Sequence, residues 1–232
     1  MAEFHKLIAN VRDALEHHGA PAHNGTHHHA AAVPTAEAAR RSELASQFAR
    51  ELHALGGHFL GILSSKETVA GVLEVAAGLN ARSVAVGAGI ANDPAPIVDA
   101  LERASIGVIR TAAITDDPAR AELRDKLARC DFAVVEADYA IAATGTLAML
   151  ATPERPGSLT LLPPVNVILV DAGRILTDLA AVLAAIGAAS IASHRLALVT
   201  GPSRTADIEK RIVVGVHGPR EVHVAVVWHG DD

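Results

Sequence analysis

The chain has 232 residues and a mass of 24.0 kDa, enough for one sizeable α/β domain or at most two small ones. Half of it is apolar and the mean hydropathy is +0.28, yet aromatics make up 3%, so the core is aliphatic and the composition is globular, not disordered. The 20 Lys and Arg against 26 Asp and Glu leave a net charge of −6, which lacks the basic excess of a dedicated nucleic-acid binder.

At the N-terminus no basic stretch leads into a continuous apolar run, because His5, Lys6, Asn10, Arg12 and Asp13 interrupt it; the reading predicts no signal peptide. Phe4, Leu7, Ile8, Val11 and Leu15 recur at helical spacing and predict an amphipathic helix that stops at His17, His18 and Gly19. Gly19 to Pro34 has no apolar period and is expected to be a loop, rich in histidine over residues 17–29. Thr35 can cap a second helix, with Leu44, Phe48, Leu52 and Leu55 as its stripe and Gly56 and Gly57 at its end. Residues 1–57 are therefore expected to form an N-terminal helical extension and 58–232 an α/β domain.

From His58 onward short β-rich runs alternate with helical patterns. Strands are predicted at Phe59–Leu63, Ser83–Val86, Gly107–Arg110, Phe132–Val135, Val165–Val170, Leu196–Val199 and Val222–Val227. Helices are predicted at Lys66–Leu79, Pro94–Ala104, Pro118–Arg129, Ile175–Ala189 and Asp207–Val213. Such alternation predicts a mostly parallel sheet with helices on both faces. The longest apolar run, Leu179 to Ala192, falls short of the roughly 20 residues that cross a bilayer, and a cytosolic location is expected. The single cysteine, Cys130, excludes an internal disulfide, and it cannot supply the thiolates of an Fe–S cluster or an all-cysteine zinc site. No cofactor is expected in this chain.

In open α/β sheets ligands lie beyond the carboxyl ends of the strands, and three such segments carry candidate residues. Thr200 to Asp207 joins a predicted strand to the predicted helix Asp207–Val213, so Gly201, Ser203, Thr205 and Asp207 would gather amides and hydroxyls at a helix N-terminus, and Arg204 would add a planar guanidinium. Together these are the parts of an anion cradle. In the alternative, Ser203, Thr205 and Asp207 only cap the helix while Arg204 pairs with Asp207 or Glu209. Next, Glu136 and Asp138 follow the strand Phe132–Val135 and are candidate catalytic carboxylates, or else solvated groups at a strand end. Downstream of them, Thr144-Gly145-Thr146 sets two hydroxyls around a residue whose backbone can approach a ligand. Finally, His217 beside Gly218 sits in a restricted loop before Pro219, a further catalytic or ligand-binding candidate or a structural histidine.

Two other signals are discounted. Seven of the 13 histidines lie in the first 29 residues, including His27, His28 and His29, which reads as a solvated loop and not as a metal site. Gly87-Ala88-Gly89 hints at a dinucleotide fingerprint, but Asn92 holds the third glycine's place and Pro94 follows.

Two blocks, Gly201-Pro202-Ser203-Arg204-Thr205-Ala206-Asp207-Ile208-Glu209 and Val213-Val214-Gly215-Val216-His217-Gly218-Pro219, resemble the C-terminal signature of the LutC/YkgG family of lactate utilization proteins, the LUD domain. Glu136 to Ala142 leading to Thr144-Gly145-Thr146, then Leu161-Leu162-Pro163-Pro164, resembles the family's central motif in the same order. The resemblance runs from about Phe59 to Val227. Ala143 stands where the family often has an acidic residue, and Glu154-Arg155-Pro156-Gly157 only loosely matches its usual Gly-Arg. The resemblance implies a fold similar to the NagB/RpiA/CoA-transferase-like group and a place in a three-part cytosolic system that oxidises L-lactate to pyruvate, with Fe–S clusters in partner subunits. The expected function is a non-redox subunit that binds a small anion where Thr144–Thr146, Gly201–Asp207 and His217–Gly218 meet. The alternatives are a transferase or isomerase acting on a CoA ester or sugar phosphate, and a sensing or assembly module.

Overall fold

The computed structural model describes residues 36–88, 93–111, 116–189, 193, 195–206, 212–214 and 218–229. The predicted helix at Phe4 to Leu15, the histidine-rich loop, Thr35, Asp207 and His217 lie outside them. The first described helix, α1 (Ala36–Ala54), ends as the glycines dictate: Gly56 takes φ 82° and the Gly57 N–H returns to the Leu52 carbonyl. Then β1 (His58–Leu63), α2 (Ser65–Gly78), β2 (Ser83–Val86), α3 (Ala95–Arg103), β3 (Gly107–Arg110), α4 (Asp117–Arg129) and β4 (Phe132–Glu136) follow in alternation. Ser64 and Glu67 close α2 reciprocally, each side chain taking the other's backbone N–H. The rest of the main sheet is β7 (Val165–Asp171) and β12 (Glu221–Val227).

Six parallel strands lie in the order β1-β12-β7-β4-β2-β3. Alternate side chains sort to two faces. Val84, Val86, Val134, Val167 and Leu169 meet α2 and α3 on one, whereas Ala85, Val135, Ile168 and Val170 meet α1 and α4 on the other. The expected α/β architecture is thus borne out. A bulge in β1 keeps the pattern in step: Leu60 is the extra residue between the pairs Phe59↔Val224 and Gly61↔Ala225, and Gly61 takes φ 130°.

Four expectations need correction. After β4, where no strand was predicted, Tyr139–Ile141 is a strand, β5, followed by a 3-10 turn (Ala142–Thr144) and β6 (Thr146–Leu150). With β8 (Ile175–Leu176) and β9 (Leu196–Val199) they form a second, four-stranded sheet in the order β8-β5-β6-β9. Leu196–Val199 is therefore a strand as predicted, but it runs antiparallel to β6 outside the main sheet. The fourth predicted helix loses its first residues to β8 and begins at Leu179, where Asp178 receives the Ala181 N–H; this is α6 (Leu179–Ala189). Between β6 and β7 lies the short α5 (Ser158–Leu161).

The last correction bears on function. No helix follows Thr200 over the described residues: β10 (Arg204–Ala206) pairs antiparallel with β11 (Ile212–Val214). Ile212, Val213 and Val214 are β-branched, which favours a strand over the last turn of a helix. Among the described residues Ser203 and Thr205 therefore stand before or within a strand and not at a helix N-terminus, whereas Asp207 lies outside them.

Leu147 and Met149 of β6 turn into the core shared with the main sheet, whereas Ala148 packs under Val182 of α6. The small sheet is thus sandwiched between main sheet and α6. Phe48 and Leu52 of α1 are fully buried in the shared core, so α1 is integral to it. No described helix is long and apolar enough to cross a membrane.

Cys130, at the end of α4, is buried, and desolvation pushes its thiol from an ordinary 9.0 up to about 11. Iodoacetamide should spare it in the native protein at neutral pH and label it once guanidinium unfolds the chain. Because the unfolded thiol ionises first, its contribution to stability is complete below pH 9 and lost as pH rises toward 11.

Candidate functional site

The connection after β2 passes through α3 on one face of the sheet, and the connection after β4 leaves on the other. Their carboxyl ends are adjacent, which makes the β2–β4 boundary the topological switch point, where open α/β sheets bind ligands. A cavity of about 270 Å³ lies there. Its walls are Gly87 after β2, Val135 and Glu136 of β4, Met149 and Leu150 of β6 with Ala151 after them, Arg155 to Gly157, Leu159 to Leu161 of α5, and Arg195 with Leu196 to Val199 of β9. Gly87 leaves room for the wall, since a Cβ there would lie 2.8 Å from Leu159. Asn166, buried in β7, donates to the Thr160 carbonyl at 2.7 Å and ties α5 to the main sheet.

Two arginines and one carboxylate give this apolar cavity its polarity. Glu136 is 4% exposed and Asp138 0%, so neither is a solvated strand end. Asp138 takes both terminal nitrogens of Arg155 at 3.2 Å and the Leu150 N–H at 2.6 Å. Its carboxylate oxygens are engaged by Arg155 and the Leu150 N–H, and Asp138 is not part of the cavity wall. Two of the five guanidinium N–H donors are so used, and Arg155 also lines the cavity. The backbone of Arg155 is fixed by a turn with Thr152, and Thr111 holds the neighbouring Glu154 carbonyl at 2.7 Å. Arg195, an exposed residue of the wall, brings its guanidinium close to Gly157, whose missing Cβ would stand 3.4 Å from its Nη1. Such an arrangement can hold a small ligand with an apolar body and an anionic group.

Described residues of the three segments singled out from sequence meet one another, and none of Thr144, Thr146, Gly201, Ser203 and Gly218 lines this cavity. Thr144 donates to Thr146 at 2.8 Å and the Thr146 hydroxyl contacts that of Thr200 at 2.8 Å, which joins the first loop to the second. The Ser203 N–H donates to the Pro219 carbonyl at 2.9 Å, and Gly218 packs on the Ser203 side chain, which joins the second to the third. The main-chain donor at Ser203 is therefore spent within the protein. Gly145 and Gly201, with φ 60° and 74°, lie against Leu52 and Leu55 at the end of α1; both serve close packing of that helix. Arg204 and Thr205 are placed by the β10 backbone. Ala143, at the position of the missing acid, is exposed.

Sequence reasoning did not assign Arg155 or Arg195 to a site. Arg155 had a signal, since it stands in the loosely matching run before the Leu-Pro step. Nothing adjacent to Arg195 distinguishes it; only the pairing of β9 with β6 brings it to the cavity.

Comparison with known proteins agrees with this architecture. The LUD domain matches residues 45–227. The chain is 31% identical to lactate utilization protein C of Halalkalibacterium halodurans, over 42% of this chain and 44% of that one. It is 34% identical to the uncharacterized protein YkgG of Escherichia coli, over 46% and 48%. The matched stretch spans about half the length, or less, of these curated relatives. A crystal structure of a DUF162 family protein from Deinococcus radiodurans superposes with a TM-score of 0.59 at 24% identity, covering 81% of this chain and 98% of that one, a likeness of fold. A match that runs from α1 to the last strand of the main sheet places this chain in the LUD domain family.

Proposed function

We propose that this chain is the non-redox component of an L-lactate utilization system and that it holds a small anion, of the size of a short hydroxy or keto acid, in the cavity at the β2–β4 boundary. One observation carries the ligand proposal: an apolar cavity at the switch point has Arg155, locked in place by Asp138, and Arg195 at its wall. The relatives named lactate utilization protein C support the pathway. With Cys130 the only cysteine, the electron-carrying clusters of such a system belong to partner subunits. Helix α6 suits a subunit role, since its eleven residues include no charge and Leu179 and Leu183 are 41% and 50% exposed.

A ligand at a hundred times its Kd stabilises the native state by about 2.7 kcal/mol, which for a chain of this size raises Tm by about 5 to 10 °C. Thermal shift with lactate, pyruvate, sugar phosphates and CoA esters is expected to give such a rise for one class, and Arg195→Ala is expected to abolish it. A rise lost instead in Arg204→Ala and kept in Arg195→Ala would move the site to the Thr144–Gly218 loops. No response to any anion would leave only the assembly role.

The second reading, a transferase or isomerase acting on a CoA ester or sugar phosphate, is favoured by Glu136, a buried carboxylate within the cavity wall. Turnover of such a substrate that disappears in Glu136→Gln, with binding retained, would decide for it.

A further inference from the structure

At the amino end of the main sheet, opposite the cavity, we propose that His58, Glu221 and His223 form a His2Glu site for a zinc ion. The topology places the donors. Glu221 and His223 are separated by one residue on β12 and so share a face, and His58 of β1 is the register partner of His223. Two donors in alternate positions of one strand and a third directly across on its neighbour put three ligands on one side of a rigid sheet. One ligating atom from each lies within 4.8 Å of the others. Zinc bonds of 2.0 to 2.1 Å in tetrahedral geometry require donors about 3.4 Å apart. The His223 Nε2 and Glu221 Oε2 are already at 3.1 Å, and rotation of the exposed His58 closes the remainder.

The two imidazoles stack, with centroids 4.6 Å apart and planes at 19°. Beside the triad a groove of about 430 Å³, lined by Leu60, Glu74, Val75 and Leu79 of the facing elements, reaches Glu221 and His223. It gives a fourth position access to solvent. Imidazole and carboxylate donors suit zinc among abundant divalent ions, whereas calcium and magnesium prefer an all-oxygen shell.

The N-terminal histidines are the competing ligands, and the test separates them. Full-length protein, stripped with chelator, is titrated with zinc chloride by calorimetry alongside two variants: His27→Ala/His28→Ala/His29→Ala and His58→Ala/His223→Ala. The expected result is a one-to-one site that the triple variant keeps and the double variant loses, with affinity lowered at least about tenfold. Glu221→Gln, a half-exposed position that the fold tolerates, should weaken the same site and guards against misfolding of the double variant. A tight site that survives both His58→Ala/His223→Ala and Glu221→Gln, or no one-to-one binding in the triple variant, overturns the proposal.

Discussion

Asp138→Asn is expected to lower the unfolding free energy by about 3 to 5 kcal/mol, because it removes one partner of a buried ion pair and leaves the other charge in place. The Asp138 side chain is 1% exposed and Arg155 14%, so water cannot replace the lost carboxylate. The Leu150 N–H also loses a charged acceptor. Guanidinium titration should read the loss directly, and Tm should fall by about 6 to 20 °C at 2 to 4 °C per kcal/mol. The double variant Asp138→Asn/Arg155→Met should recover part of the loss, since an apolar side chain no longer demands compensation. If Asp138→Asn stays within about 1 kcal/mol of the parent, the pair is not the buried lock described, and Arg155 is free to take a different place in the cavity. The double variant then has a second use. It is expected to fold and yet not respond to the anion that stabilises the parent, which separates positioning of Arg155 from stability.

Much of the main sheet was legible because its central strands, Phe132–Glu136 and Val165–Asp171 above all, are mostly Val, Ala, Ile and Leu, as burial on both faces requires. Ser83–Val86 and Gly107–Arg110 were read to the residue. The second sheet was not legible. Its strands β5 and β8 have three and two residues, too short to show a period, and their pairing is set by contacts distant in sequence. The same limit hid the cavity. Glu136 could be suspected from its place after a strand, but its burial depends on β6, α5 and β9 closing over it. Asp138 looked like its equal because both are acids at one strand end; only the seventeen-residue return to Arg155 distinguishes a positioning group from a cavity wall. Where the helix Asp207–Val213 was expected to end, Ile212 and Val213 are strand instead, for a local reason: a Ser-Arg-Thr run suits a cap and an edge strand alike, and the β-branched run at Ile212 favours the strand. His58, Glu221 and His223 escaped notice since the histidine count draws attention to the first 29 residues, and only strand register joins residues so far apart in sequence.

Gly145→Ala separates the two meanings of the Thr-Gly-Thr motif. Read as a ligand loop, its glycine lets a ligand approach the backbone, and a methyl group there should cost binding more than stability. The structure gives the glycine a different neighbour. An added Cβ would meet the Leu52 backbone nitrogen, with Glu51 C at 2.7 Å and Leu52 Cα at 2.8 Å, all main-chain atoms of α1 that no rotamer change can move aside. The residue also holds φ 60° and ψ 28°, which an L side chain occupies at a cost of about 1 to 2 kcal/mol, and overpacking adds about 1 to 3 kcal/mol. The sum, about 2 to 5 kcal/mol, should appear in guanidinium titration as a lower midpoint. Hydrogen exchange should quicken first in α1, because the clash levers that helix away from the core that Phe48 and Leu52 fill. Gly78→Ala is the control: nothing lies within 4 Å of its Cβ and it ends α2, so it should be neutral or slightly stabilising. A Gly145→Ala protein as stable as the parent, but deaf to the stabilising anion, would return the motif to ligand binding and shift the site from the cavity toward Thr144, Thr146 and Thr200.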